Sequence, residues 1–163
     1  MRLRPKVLRL PVVAAVVGGC AALAVSALGI HPVRITSGSM APTIEAGDWI
    51  VTRDVDDRDR RQIARGDIVM FRFPLGSSGR AIKRVVAVAG DRVAIAARTV
   101  TVNGRAIAIA GAPSARAARA RVETVPPGAV FLVGDNARAS IDSRSFGSVP
   151  VGEIVAEKVL ALG

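Results

Sequence analysis

The sequence predicts a mainly β domain, partly barrel-like, that is attached to one N-terminal transmembrane helix. An uncharged apolar run over residues 10–30 indicates the helix, because about 20 apolar residues are needed to cross the core of a bilayer. Short apolar segments separated by turn residues indicate the β domain. Asn103-Gly104, the strongest short hairpin signal, lies between two of these segments.

The charges on the two sides of the apolar run predict its orientation. Arg2, Arg4, Lys6 and Arg9 precede the run, whereas Arg34 is the one basic residue in positions 31–50. Basic residues are retained on the cytoplasmic side of a membrane. We therefore expect a cytoplasmic basic tail over residues 1–9, a transmembrane helix over 10–30 and an exported domain over 31–163. The protein would cross the plasma membrane once, with its N-terminus in the cytoplasm.

Two other interpretations of the run remain open. A basic start followed by an apolar stretch is also typical of a cleaved signal peptide, although this run is longer than the usual apolar region. Residues 17–20 (VGGC) also suggest a lipoprotein cleavage site, but cleavage there would leave the apolar residues 21–30 attached. Cys20 is the sole cysteine, so the chain forms no internal disulfide.

The rest of the chain alternates between strand patterns and turn signals. Strands of this number and spacing are typical of an all-β, partly barrel-like fold. Residues 110–121, rich in Ala and Arg, are compatible with a short helix or with a basic loop. The predicted strands cover residues 48–52, 67–73, 81–89, 98–102, 105–109, 129–133 and 155–162.

The net charge of +10 favours contact with anionic lipid or nucleic acid. Nucleic acid is the weaker expectation, because the sequence has no zinc-finger spacing, no helix-turn-helix pattern and few aromatic residues for base stacking. The lipid bilayer is therefore an expected partner, and nucleic acid is not.

A hydrolase built on this chain would need an unusual general base. The sole histidine, His31, falls at the predicted membrane boundary, where we interpret it as an interfacial residue. A lysine acts as a base when burial lowers its pKa, whereas an arginine does not. The chain has three lysines, Lys6, Lys83 and Lys158, among 23 basic residues. Of these, Lys83 lies within an apolar strand pattern and is the candidate base. A lysine that points outward from a strand is the alternative interpretation.

Residues 36–44 (TSGSMAPTI) contain the candidate nucleophile. Gly38 permits a tight backbone path and Pro42 fixes the chain after it. Two serines two positions apart would supply a nucleophile and a hydroxyl donor to an oxyanion hole. A Ser/Gly linker between the membrane helix and the domain is the alternative interpretation of the same stretch.

Four segments in order resemble the conserved boxes of the type I signal peptidase family. The resemblance extends over about residues 35–150, and the first segment is the most specific. The segments are SGSMAPT (37–43), GDIV (66–69), KRVVAVAGD (83–91) and GDNARASIDSR (134–144), which FGSVP (146–150) continues.

The resemblance implies a serine endopeptidase that removes signal peptides from exported preproteins. Ser39 would attack the scissile carbonyl, and Lys83 would take its proton. The backbone N–H of Ser39 and the hydroxyl of Ser37 would bind the oxyanion. Preprotein substrates would carry small residues at the first and third positions before the cut and would bind as an added strand. No metal or other cofactor is implied, and the secretion translocon is a further candidate partner.

Three further residues receive supporting roles from the resemblance. Ser140 would hydrogen-bond the amine of Lys83 and orient it, while Asp142 and Arg144 would form an ion pair behind it. The ion pair makes physical sense, because an unneutralised carboxylate beside Lys83 would raise the pKa of the lysine. Residues 31–163 would then form the exported catalytic β domain.

The sequence departs from the family pattern at a few positions, among them Thr36, Ala89, Ala137 and Arg138. None of these belongs to the implied chemistry. The segment between the third and fourth boxes is short, so we expect the second, variable subdomain of the family to be small or reduced to a hairpin.

Three rival functions are compatible with parts of this pattern. A dedicated processing protease would use the same dyad on one or a few exported substrates. A self-cleaving repressor of the Ser/Lys class would lack the membrane helix and carry DNA-binding helices. A catalytically dead, membrane-anchored binding module would lack Ser39 or Lys83, and both are present.

Overall fold

The computed structural model describes residues 29–73, 79–112 and 120–162. The predicted transmembrane segment 10–30 lies outside the described residues except for Gly29 and Ile30, and Ile30 begins a strand rather than ending a helix. None of the helices in the described part is both long and apolar enough to cross a membrane. Seven residues of the Ala/Arg-rich stretch, 113–119, also lie outside the described part.

The described chain forms eleven strands and two short helices, which confirms the predicted mainly β fold. Helix α1 covers Asp57–Gln62 and helix α2 covers Ser143–Phe146. The strands are β1 Ile30–Arg34, β2 Trp49–Asp54, β3 Ile68–Arg72, β4 Arg80–Val88, β5 Arg92–Ala96, β6 Thr99–Val102, β7 Arg105–Ile107, β8 Arg121–Thr124, β9 Ala129–Val133, β10 Val149–Pro150 and β11 Ile154–Leu162.

The strands form two sheets whose strand pairs are all antiparallel. The larger sheet has the order β1-β2-β11-β3-β4-β9-β10, and the smaller sheet has the order β7-β6-β5-β8. One apolar cluster lies against the smaller sheet and includes Val93, Val100 and Phe131. A second cluster centres on Phe71, Val85 and other residues of the larger sheet.

The smaller sheet shows which of the two expected forms this region takes: it is a small sheet and not a hairpin alone. The Asn103-Gly104 turn is present, with φ of 50° and 82°. Positive φ at both central residues is what a type I′ hairpin turn requires. However, β5 and β8 extend the β6–β7 hairpin to four strands. The apolar residues of β5 alternate only with alanine and arginine, and β8 is mostly exposed, so neither strand gives a strong hydrophobic signal.

The predicted strands overlap β2, β3, β4, β6, β7, β9 and β11, with ends that coincide or differ by at most two residues. The unpredicted β1 pairs with β2 directly after the predicted helix, in a register that includes Val33↔Ile50. A third apolar cluster, formed by Ile35, Met40, Ile44 and Ile50, begins at the residue that follows β1. This cluster supports the turn that carries the candidate nucleophile.

Candidate active site

The candidate nucleophile lies in a 3-10 turn, Gly38–Met40, that follows β1. Met40 points into the third apolar cluster and is almost fully buried, which anchors the turn to the larger sheet. Ser39 itself is buried, with 7% of its surface exposed. The hydroxyl of Ser37 lies 3.4 Å from Ser39 Oγ, so the two serines predicted from the sequence share one site.

Lys83 lies on β4 and directs its amine toward Ser39. Its Nζ donates to Ser39 Oγ at 2.9 Å and to the carbonyl oxygen of Ile82 at 2.8 Å. Because side chains alternate along a strand, the next residue, Arg84, turns away from Ser39 and pairs with Asp135 at 2.6 Å. The pleat therefore separates the buried amine of Lys83 from the neighbouring guanidinium.

Burial changes the chemistry of this amine. Only 4% of Lys83 is exposed, and this desolvation lowers the pKa of its ammonium group to about 8 from the ordinary value of 10.5. The negative charge of Asp142 opposes the shift, and the positive charge of Arg144 adds to it. At pH 7 a pKa of about 8 leaves roughly a tenth of the lysine as free amine, several hundred times more than in water.

A carboxylate and its guanidinium partner lie behind the dyad. Asp142 is fully buried and accepts hydrogen bonds from Arg144 Nε at 2.8 Å and from the backbone N–H of Gly134 at 2.9 Å. Burial alone would raise the pKa of Asp142, but these bonds and one from Ser140 hold that pKa below its usual value. Asp142 is therefore ionised, and its charge is neutralised by Arg144.

The structure places Ser140 differently from the sequence expectation. Its hydroxyl donates to Asp142 Oδ2 at 2.6 Å, and the hydrogen bonds of the described residues include none between Ser140 and Lys83. Instead, the carbonyl oxygen of Ile82 is the second acceptor for the amine. A charged carboxylate is a strong acceptor, and the Ser140 hydroxyl donates to Asp142.

Two residues that sequence reasoning did not assign also lie in the site. Gly134 separates Ser140 from the nucleophile turn, and a Cβ there would lie 2.2 Å from Ser140 Oγ and 2.6 Å from Ser39 O. No side chain fits at this position. Asn136 donates from its side-chain amide to the carbonyl oxygen of Gly38 at 3.1 Å. The sequence signal for both was their presence in the GDN triplet of the fourth box.

An open cleft of about 320 Å³ leads to the dyad. One wall is the end of β1 and the nucleophile turn, and the other is residues 80–83 of β4. β1 is the edge strand of its sheet. Residues 80–83 of β4 pair with β3, whereas the described pairing with β9 begins only at Arg84. Among the described strands, neither wall therefore has a neighbouring strand along the edge that lines the cleft.

His31 and the acidic residues do not form another reaction centre in the described part. His31 Nε2 lies 3.1 Å from Asp54 Oδ2 on the β1–β2 ribbon. Within the described ranges, no group of three or more His, Cys, Asp or Glu side chains is arranged to hold a metal ion.

Comparison with known proteins gives a consistent set of relatives. The family model described as "Signal peptidase, peptidase S26" matches residues 8–162. Mitochondrial inner membrane protease subunit 1 of Schizosaccharomyces pombe is 34% identical over 134 residues, which cover 81% of this chain and 73% of the relative. Signal peptidase I of Bacillus caldolyticus is 31% identical over 134 residues, which cover 72% and 70% of the two chains.

In two further matches, one of the two chains is covered to a smaller extent. Probable thylakoidal processing peptidase 2 of Arabidopsis thaliana is 33% identical over 136 residues, which cover 79% of this chain and 37% of the relative. The crystal structure of a signal peptidase I from Enterococcus faecalis is 26% identical with a TM-score of 0.45, and the match covers 56% of this chain and 92% of that one.

Proposed function

Since this chain belongs to the signal peptidase family, peptidase S26, and is therefore a serine peptidase that removes signal peptides, we propose that Ser39 and Lys83 form its catalytic dyad. The observation that carries this proposal is the buried amine of Lys83 at 2.9 Å from Ser39 Oγ. A nucleophile and a base within hydrogen-bond reach are the signature of covalent catalysis by a hydroxyl group.

The first half of the reaction forms an acyl-enzyme. Neutral Lys83 accepts the proton of Ser39 while Oγ bonds to the scissile carbonyl carbon. The carbonyl oxygen becomes an anion, which the backbone N–H of Ser39 and the hydroxyl of Ser37 stabilise. As the tetrahedral intermediate collapses, the peptide C–N bond breaks and the ammonium of Lys83 protonates the departing amine.

The second half of the reaction regenerates the enzyme. Lys83, neutral again, accepts a proton from a water molecule that attacks the ester carbonyl of the acyl-enzyme. The ester bond to Ser39 breaks, Oγ recovers a proton from Lys83, and the signal peptide leaves with a new carboxyl terminus. The Asp142–Arg144 pair supports both halves because it keeps a buried charge beside Lys83 neutralised.

The unpaired edges of the cleft favour a substrate in extended conformation. A chain lying between β1 and residues 80–83 of β4 would add a strand and satisfy the free backbone groups of both walls. Such a strand would deliver its scissile carbonyl to Ser39. The preference for small residues at the first and third positions before the cut comes from the family and stays part of the proposal.

Attachment to a membrane belongs to the same proposal. The names of several relatives place them at an inner membrane, and the apolar run 10–30 with its basic flank favours one membrane crossing with the N-terminus in the cytoplasm. Preproteins would then reach the exported domain at the outer face of the plasma membrane, beside the bilayer and the translocon.

Cleavage of a model preprotein by the purified full-length chain tests the function. We expect the wild-type protein to release a mature fragment with a defined new N-terminus, and Ser39→Ala to release none. Arg138→Ala, which replaces an exposed side chain of the fourth box, is the matched control and should retain cleavage. Equal cleavage by the wild-type and Ser39→Ala proteins would refute the proposed nucleophile.

A dedicated processing peptidase is the second candidate function. The match to relatives named inner membrane protease and thylakoidal processing peptidase favours it. Depletion of the protein from its host separates the two: accumulation of many preproteins supports general signal peptide removal, and accumulation of one supports a dedicated role.

A further inference from the structure

Asn136 makes two hydrogen bonds to the turn that carries the candidate nucleophile. Its backbone N–H donates to the carbonyl oxygen of Ser39 at 3.1 Å, and its side-chain Nδ2 donates to the carbonyl oxygen of Gly38 at 3.1 Å. Asn136 follows β9 and lies 97 positions beyond Ser39 in the chain. One side chain thus joins the nucleophile turn to the segment that holds Asp142.

The amide oxygen of Asn136 fixes the orientation of this side chain. The backbone N–H of Arg138 donates to Asn136 Oδ1 at 3.1 Å. An amide oxygen accepts hydrogen bonds and an amide nitrogen donates them. With the oxygen turned toward Arg138, the nitrogen faces the carbonyl oxygen of Gly38, which also accepts the backbone N–H of Ala41 at 3.2 Å.

The bond from Asn136 to Gly38 adds to that from Ala41 in constraining where the backbone N–H of Ser39 points. The carbonyl of Gly38 and the N–H of Ser39 belong to one planar, trans peptide unit, so the two groups point in opposite directions. Holding the carbonyl therefore fixes the direction of the N–H. Among the described residues, no hydrogen-bond acceptor engages this N–H, so it is available to a substrate oxyanion.

We infer that Asn136 is a positioning residue that aims the Ser39 N–H at the oxyanion of the transition state. The inference rests on the proposed function, in which this N–H is one of two oxyanion donors. Because the oxyanion exists in the transition state and not in the bound substrate, the effect of Asn136 falls on kcat and leaves KM nearly unchanged.

Two variants remove the side-chain donor to Gly38 and leave the backbone donor, Ala41, in place. Asn136→Ala deletes the whole amide, and Asn136→Asp keeps the shape but lacks the N–H donor at neutral pH. Loss of an entire oxyanion donor costs about 100- to 1000-fold in kcat. A donor that is present but poorly aimed should cost roughly 10- to 100-fold, with KM changed by about twofold or less. Steady-state cleavage by the full-length protein in detergent measures both constants.

A substrate-based peptide aldehyde gives a second readout, which a purely structural role would not move. Ser39 Oγ bonds to the aldehyde carbon, its proton passes to Lys83, and the former carbonyl oxygen occupies the oxyanion position. We expect the inhibition constant of the aldehyde to rise in both variants by the same factor as kcat/KM falls. Transition-state analogues depend on the groups that stabilise the transition state.

Asn103→Ala is the matched control. Asn103 also makes two side-chain hydrogen bonds, to Asp91 at 2.8 Å and from the N–H of Arg92 at 2.9 Å, but in the smaller sheet. The Asn103→Ala substitution should lower thermal stability and leave kcat and the inhibition constant of the aldehyde unchanged. If Asn136→Ala fails to fold, Asn136→Asp provides the same comparison at nearly native shape.

The outcomes separate this inference from the proposed function. A wild-type protein whose cleavage does not depend on Ser39 overturns the proposed function itself. Ser39-dependent cleavage with kcat within about threefold of wild type in both Asn136 variants overturns only the positioning role. The positioning role is also overturned if the Asn136 variants raise KM and leave kcat unchanged. It is overturned as well if they lower kcat and leave the inhibition constant of the aldehyde unchanged.

Discussion

At the scale of single residues, the environment of Lys83 decides its chemistry. A lysine on an exposed strand would be charged at every physiological pH, whereas this one is buried between the nucleophile turn and β4. Desolvation lowers its pKa to about 8, and the Asp142–Arg144 pair leaves little net charge beside it. The basic residue next to it, Arg84, is held by Asp135 on the other face of the strand.

The pH dependence of cleavage tests the state of Lys83. The base must be unprotonated, so kcat/KM should rise with pH and level off above a midpoint near 8, the pKa of the free enzyme. Lys83→Arg keeps a positive charge but supplies no base, and it should be as inactive as Lys83→Ala. An active Lys83→Arg protein would rule out lysine as the base and direct attention to the carboxylates, with Asp142 first.

The two serines of the nucleophile turn should differ in their effects. Ser39→Ala removes the bond-forming oxygen and should abolish turnover. Ser37→Ala removes one hydroxyl donor 3.4 Å away, and kcat should fall by roughly 100- to 1000-fold. Single-turnover assays of both variants measure the difference. The opposite order of damage would exchange the roles of the two residues.

At the scale of elements, turns after strands bring the functional groups together. The segment after β9 supplies Gly134, Asn136 and Asp142 to the site. The turn after β4 has a structural role of the same kind, because its Asp91 accepts hydrogen bonds from Arg65, from the N–H of Val88 and from the amide of Asn103. The Asp91 carboxylate thus links Arg65, which precedes β3, with Asn103 in the hairpin turn of the smaller sheet.

Asp91→Asn should therefore lower the free energy of unfolding by about 2 kcal/mol, the scale for hydrogen bonds to a buried charged group. Urea unfolding at pH 7 measures this change. Asp57→Asn, which removes an exposed ion pair with Arg60, is the control and should change stability by less than about 0.5 kcal/mol. Equal effects of the two variants would contradict a structural role for Asp91.

Acid unfolding provides an independent measure of the same group. Its bonds, with that from Arg65 first, lower the pKa of Asp91 to about 2 from the ordinary value of 3.8. The unfolded chain therefore binds a proton at higher pH than the folded protein does. The stabilisation is complete above about pH 4 and is lost as the pH falls toward 2. Unfolding curves of wild type and Asp91→Asn should converge over this range; a constant difference would show that Asp91 does not titrate as described.

At the scale of the whole molecule, the proposed base lies on β4 of the larger sheet and the proposed nucleophile lies in the turn after β1, the edge strand of the same sheet. The smaller sheet begins after the turn that follows β4. β1 begins at Ile30, the last residue of the predicted membrane segment. The cleft wall formed by β1 therefore follows shortly after that segment in the sequence.

Membrane topology can be tested on the full-length chain in its host. The basic residues before position 10 predict that the N-terminus stays in the cytoplasm and the domain is exported. Protease added to intact spheroplasts should digest the part after residue 30, as detected with an antibody to the C-terminal domain. Complete protection of this part, with digestion only after lysis, would reverse the predicted orientation.

The sequence by itself determined the elements whose signals are local. The alternating apolar segments of β3 and β4 and the Asn103-Gly104 turn indicated most of the strands, because a strand pattern and a tight turn depend on adjacent residues. The resemblance over the four boxes identified Ser39 and Lys83 as a pair. Strands β1, β5, β8 and β10 were missed because their pairing partners, rather than their own hydrophobic patterns, make them strands.

Only the tertiary structure decided how the site residues interact. Ser39 and Lys83 are 44 positions apart, and the lowered pKa of Lys83 comes from burial that forms only when the nucleophile turn packs against β4. The hydrogen bond from Ser140 to Asp142 and that from Asn136 to Gly38 likewise depend on the tertiary structure. They form where the segment after β9 packs against the nucleophile turn. Hydrogen bonding and desolvation depend on distances between chain segments, and sequence spacing does not contain those distances.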